Sequence, residues 1–167
     1  VGRSPKIEFF ECFKYARRAY PLKIWVDGGS SLWLSSMLAV SWWERALFGD
    51  CRIEVLATFV RNKEEADIVI KFSPAVRTME VERVFPEGEF YSRVAAILIK
   101  PQFSNSSYLP TILRHAMGHA LLGLSHSGKK KSVMYPFLYA MKGKGLVLPR
   151  DYAAAVCYLS DRGVSVP

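Results

Sequence analysis

His115-Ala-Met-Gly-His119-Ala-Leu-Leu-Gly123-Leu-Ser-His126 contains every histidine of the 167-residue chain. His115 and His119 are four residues apart. At about 100° per residue, an α-helix carries both on one face, one turn above the other. Leu109, Leu113, Ala116 and Ala120 recur at helical spacing on the adjoining face, which predicts a helix over 109–122. Gly123 can end it with a left-handed residue; the chain then doubles back, and His126 can swing toward the first two rings. Neutral imidazole is a preferred ligand of zinc, and three such nitrogens leave a fourth position open. A lone histidine is usually a surface or hydrogen-bonded core residue. Three within twelve positions, with none elsewhere, point to a single zinc ion on His115, His119 and His126.

A second signal follows at a short distance. Ser132-Val-Met134-Tyr-Pro136, in the loop that follows the helix, looks like the methionine-bearing turn of a known peptidase family. Taken together, the two stretches resemble the metzincin metallopeptidases, and within them the matrixin type, whose zinc signature is H-E-x-x-H-x-x-G-x-x-H. Leu148-Pro-Arg-Asp151-Tyr-Ala-Ala is similar to the start of the matrixin C-terminal helix. The resemblance implies a zinc endopeptidase that hydrolyses peptide bonds with a zinc-activated water. It implies zinc ligation by His115, His119 and His126, a turn at Gly123, and Met134 as the apolar floor beneath the metal. Tyr135 or Tyr139 would border the substrate pocket or steady the oxyanion, and both also read as ordinary packing residues. The family binds extended peptides along an edge strand, for which 75–90 or the strand 93–100 is the candidate.

Two departures from the pattern matter as much as the matches. Ala116 stands at the position of the general-base glutamate. That carboxylate takes a proton from the zinc-bound water and returns it to the leaving amine, and alanine does neither. Between Glu89 and Asp151 there is no acidic residue to replace it. The chain therefore reads as an inactive Glu-to-Ala form, made by engineering. The alternative is a natural pseudopeptidase, a zinc-holding module that binds peptides or proteins without cutting them. The second departure is one extra residue: Ala120-Leu121-Leu122 separates His119 from Gly123 where the family has two residues. Another helical residue turns the exit by about 100° unless the helix end is bulged, which bears on His126 and not on the other two ligands.

Elsewhere the pattern predicts an α+β (mixed) domain. Its twisted, mostly parallel sheet of about five strands has an antiparallel edge strand, and the zinc-site helix, the Met-turn and a C-terminal helix complete it. Leu22–Val26 alternates as a strand. After Asp27-Gly28-Gly29, a helix capped by Ser30 or Ser31 runs through Leu34, Met37, Leu38 and Trp42 and stops near Gly49. Strands are expected at 52–60, 67–72 and 93–100, with an exposed edge strand and loop over 75–90. The last helix begins near Pro149. Residues 1–20 read as an N-terminal extension packing on the body through Phe9, Phe10, Phe13 and Tyr20, and 21–167 as one catalytic domain.

Composition sets the remaining bounds. Half the residues are hydrophobic, so the chain can bury a substantial core. No apolar run approaches the roughly 20 residues of a membrane span. The net charge of +8 permits nucleic acid as a partner, but the only dense run is Lys129-Lys130-Lys131, without a basic stripe or interleaved aromatics. A peptide or protein substrate is expected, and no nucleic acid. Cys12, Cys51 and Cys157 allow at most one disulfide and form no metal pair. Cys12 reads as a buried or free thiol. The acidic loops that hold calcium are not evident. The chain is expected to be a monomer, extracellular or exposed at a membrane surface.

Overall fold

The computed structural model describes residues 21–51, 55–85, 93–136 and 146. Strand β1 (Leu22–Asp27) is followed by helix α1 (Gly29–Cys51), then β2 (Ala57–Phe59), β3 (Ile68–Phe72), β4 (Met79–Val84), β5 (Arg93–Ile99) and helix α2 (Leu109–Leu122). The strands form one sheet in the order β2-β1-β3-β5-β4. All neighbours are parallel except β4 and β5, which run antiparallel. The expected mixed fold, with its antiparallel edge strand, is the one observed.

The sheet has two unequal faces. On β1, Leu22 and Ile24 are buried while Lys23 and Asp27 are exposed, the two-residue period of a half-covered strand. Leu22, Ile24, Ile68, Ile70, Ile97 and Ile99 join the main core beneath the helices. On the other side Val76, Ala96 and Leu98 make a much smaller cluster. β5 is buried along most of its length because it lies between β3 and β4 and is covered on both faces.

Helix α1 buries Leu32, Ser36, Ala39, Val40 and Trp43, the i, i+4, i+7, i+8 and i+11 set that forms one stripe. The buried Ser36 hydroxyl donates to the Leu32 carbonyl at 2.7 Å, so the polar group carries no desolvation penalty. Two boundaries differ from expectation. The helix begins at Gly29 (φ 82°), ahead of both serines proposed as caps. It also continues through Gly49 to Cys51, because one glycine costs only about 1 kcal/mol in a helix interior and does not stop a helix by itself. The strand expected over 52–60 contracts to 57–59, with 52–54 outside the described residues.

Helix α2 is buried nearly all round; only Pro110 and Arg114 escape. It packs on α1, β4 and β5, and its exit loop returns beneath it. Pro110 sits in the first turn, where its missing N–H costs nothing. The expected N-terminal extension and the helix after Pro149 lie outside the described residues. Among the described residues, no helix is long and apolar enough to cross a membrane.

Candidate metal centre

The three histidines converge. His119 Nε2 lies 3.1 Å from His115 Nε2, which in turn lies 3.2 Å from His126 Nε2. The ligand atoms of all three are within 4.8 Å of one another. A tetrahedral zinc with Zn–N bonds of 2.0–2.1 Å spaces its nitrogens about 3.3 Å apart, so the two closest separations suit one ion.

The other ring nitrogens explain the orientation. His115 Nδ1 donates to the Val133 carbonyl at 2.9 Å, and His119 Nδ1 to the Leu124 carbonyl at 2.6 Å. A carbonyl oxygen only accepts, so each Nδ1 carries the proton and each neutral ring turns an Nε2 lone pair inward. Those lone pairs face one another without a hydrogen between them, an arrangement a cation would relieve. Anchoring of the distal ring nitrogen to a carbonyl is also what orients metal-bound imidazole. Burial, aided by the neighbouring ring of His126, lowers the His115 pKa to about 4 despite the opposing bond to Val133. Burial followed by the His115 and His126 charges lowers that of His119 to about 3. His126, on the exposed rim, is lowered by partial burial alone. His115 and His119 are therefore neutral at neutral pH, the form in which imidazole can bind a metal.

The helix exit shows how the extra residue is absorbed. Gly123 is left-handed (φ 66°, ψ 23°). Its N–H bonds the His119 carbonyl at 3.2 Å, and Leu124 N–H reaches back to the Gly118 carbonyl at 3.1 Å. The outer bond spans six residues, one more than in the usual glycine cap. The last turn is thus widened in the manner of a π-bulge, and Leu122 is housed in the core at full burial. The 100° of extra rotation expected at the exit is taken up within this turn, and His126 still arrives beside His115.

Met134 is fully buried, and its sulfur occupies the space over Gly118 where any larger residue would put a Cβ. Its loop is tied by Ser127 N–H to the Met134 carbonyl (2.9 Å) and by Met134 N–H to Ser132 Oγ (3.0 Å). Tyr135 is half-buried beside it; Tyr139 lies outside the described residues. The loop therefore contributes a buried methionine and, through Val133, the acceptor for His115. The Val133 and Leu124 acceptors were invisible in the sequence, since any residue type supplies a main-chain carbonyl.

Ala116 is completely buried in the main core. The carboxylates of β4 do not substitute for the missing one. Glu80 and Glu82 pair with Leu98 and Ala96, whose side chains belong to the small cluster on the far face of the sheet. By the alternation of a strand, both glutamates leave β4 away from α2. Of the two strands considered for peptide pairing, β5 is hydrogen-bonded on both sides, whereas β4 lies at the edge of the sheet among the described residues.

A family model for the matrixins matches residues 78–159, the portion that carries β4, β5, α2 and the histidine cluster. The chain is matrixin-like. That match supports a zinc peptidase at a coarse level, and the three histidines could hold a metal ion. Among solved structures, archaemetzincin from Methanopyrus kandleri is similar at 14% identity, over 87% of this chain and 98% of that one, with a TM-score of 0.45. No curated protein sequence matches.

Proposed function

We propose that the matrixin-like domain holds one zinc ion on His115, His119 and His126, with Met134 as its floor, and binds an extended peptide along β4. The observation that carries this reading is the pair of Nδ1–H bonds to Val133 and Leu124, which turn the Nε2 lone pairs of His115 and His119 inward, with His115 Nε2 3.1 Å from His119 Nε2 and 3.2 Å from His126 Nε2. When bound, zinc supplies Lewis acidity and lowers the pKa of its water to near neutral. Along its outer edge β4 would offer main-chain donors and acceptors to the substrate. Tyr135 stands close enough in sequence to Met134 to border the pocket, the role also assigned to Tyr139.

The reaction this architecture serves is peptide-bond hydrolysis, and the chain as it stands lacks the proton carrier. A carboxylate at 116 would take the water's proton and deliver it to the leaving amine. We read Ala116 as an inactivating replacement of that glutamate, introduced by engineering. A monomer acting outside the cell or at its surface completes this reading.

A second reading has specific support. Ala116 is fully buried, and the widened exit turn is an independent departure from the family pattern. Both fit a natural pseudopeptidase that grips a peptide and releases it intact.

Two measurements test these readings. Metal analysis of tag-free protein is expected to give one zinc per chain; a metal-free, folded protein that takes up no added zinc overturns the site. Ala116→Glu is expected to cut an unfolded protein or the chain itself. A zinc-loaded Ala116→Glu protein that cuts nothing decides for the pseudopeptidase.

A further inference from the structure

Helix α1 reaches the metal centre through two adjacent tryptophans. Trp43 is fully buried, and its indole N–H donates to the main-chain carbonyl of Arg114 at 2.7 Å. The same ring lies against Gly118, where a Cβ would stand only 2.9 Å from Trp43 Cζ2. Arg114 and Gly118 immediately precede His115 and His119. One side chain of α1 thus touches α2 at the two residues that introduce its two histidines. Trp42 completes the grip: it meets Trp43 edge-on, with centroids 5.2 Å apart and planes at 90°, and the Arg114 guanidinium lies 5.1 Å from the Trp42 ring. The carbonyl and the side chain of Arg114 are therefore both held by α1.

This arrangement does more than fill space. A carbonyl has two lone pairs, so the Arg114 oxygen can serve the helix and the indole together. The indole bond is directional, and a shift or rotation of α2 would break it. Apolar packing alone tolerates small sliding of one helix on another, whereas a buried N–H that loses its acceptor costs roughly 1–3 kcal/mol. The absence of a side chain at 118 lets the ring approach the α2 backbone between the two ligands. Met134 crowds the same space over Gly118. The helix that carries His115 and His119 is packed at this glycine against both an indole and a thioether.

We infer that the Trp42–Trp43 pair is a positioning device for the metal centre, setting the rotation and axial register of α2 so that His115 and His119 present their Nε2 atoms to one ion. The inference rests on the metal-site reading above. Neither tryptophan is a ligand, and both act through Arg114 and Gly118.

Trp43→Phe keeps an aromatic ring in the socket and removes the N–H. Zinc affinity is measured by competition with a chromophoric chelator, coordination geometry by the visible absorption of the cobalt-loaded protein, and metal-free stability by thermal unfolding. The expected result is a loss of about tenfold in zinc affinity, the low end of what outer-shell changes produce, with a shifted cobalt band. A variant with a lower unfolding temperature but unchanged zinc affinity and cobalt spectrum overturns the proposal, because a purely structural tryptophan behaves that way. Trp42→Phe leaves the indole–carbonyl bond in place and removes the larger ring beneath Arg114; a two- to threefold weakening is expected. Should Trp43→Phe not fold, an unchanged affinity and spectrum in Trp42→Phe overturns the proposal. An unsubstituted chain that takes up neither zinc nor cobalt overturns the metal site itself, an outcome distinct from equal binding by parent and variants.

Discussion

The histidine face and the alanine face of α2 lie one residue apart, about 100° round the helix. On the first, His115 and His119 have their Nδ1 protons bound by Val133 and Leu124 and their Nε2 atoms converging. On the second, Ala116 sits fully buried among core side chains, with no carboxylate on the same helix and those of β4 directed to the far side of the sheet. The difference separates two jobs that a hydrolytic zinc site combines. Holding the ion depends on ring orientation, which the return loop supplies through main-chain carbonyls. Moving the proton depends on one side chain, and the fold survives without it because alanine is the best helix former of all.

Restoring the second face should give the largest effect. Ala116→Glu is expected to raise peptide hydrolysis by about 10²–10⁴-fold, the usual contribution of a positioned acid or base. A quenched fluorescent peptide measures it, and no gain in a zinc-loaded variant would mean that the alanine face is not simply the missing half of a working site. Removing the first face comes next. His119→Ala should weaken zinc binding by about two orders of magnitude or more, as expected when the binding energy of a structural zinc is divided among its ligands. Chelator competition gives the number; affinity within twofold of the parent would show that the converging rings are not the ligands.

Acid should strike the histidine face selectively. Folding lowers the His115 and His119 pKa values from 6.5 to about 4 and about 3, chiefly by burial. The unfolded chain consequently takes up protons first as the pH falls. Their contribution is whole above pH 6.5 and is lost between 6.5 and the folded values, by up to about 1.4 kcal/mol per pH unit for each ring. Urea unfolding of the metal-free protein at pH 7 and pH 5 should reveal the loss, and equal midpoints would contradict the burial of the rings. The smallest effect belongs to Thr111, one turn before His115. Its hydroxyl is buried without a hydrogen-bond partner. Thr111→Val should leave zinc binding unchanged and raise stability by about 0.5–1 kcal/mol, since no bond is lost and a desolvated oxygen is removed. A destabilised variant would imply a partner for that hydroxyl in the folded chain.

The site was more legible than its supports. Spacing alone placed His115 and His119 on one helix face, because the α-helical period is fixed by local geometry. Gly123 was readable as the terminator for an equally local reason, its tolerance of positive φ. The strands β1, β3 and β5 announced themselves by alternating or continuous apolar runs, whereas β2 proved far shorter than its apolar stretch and α1 ran past Gly49. Those boundaries depend on what packs alongside, which no local pattern records. Tyr139 and the helix expected after Pro149 lie outside the described residues.

By itself, then, the sequence determined which residues could bind a metal and that alanine stands at 116, where the pattern it resembles has a glutamate, since both are read from residue types at fixed spacing. Only the tertiary structure decided how the extra residue before Gly123 is accommodated: the final turn widens to bond Leu124 N–H to the Gly118 carbonyl, and His126 still reaches His115. It alone supplied Val133, Leu124 and Trp43 as partners of the zinc helix. These contacts join residues 5, 18 and 71 positions apart, and in each the acceptor is a main-chain carbonyl, which any residue type supplies. Their meaning arises only when α1, α2 and the return loop are packed together and each buried polar group must find a partner.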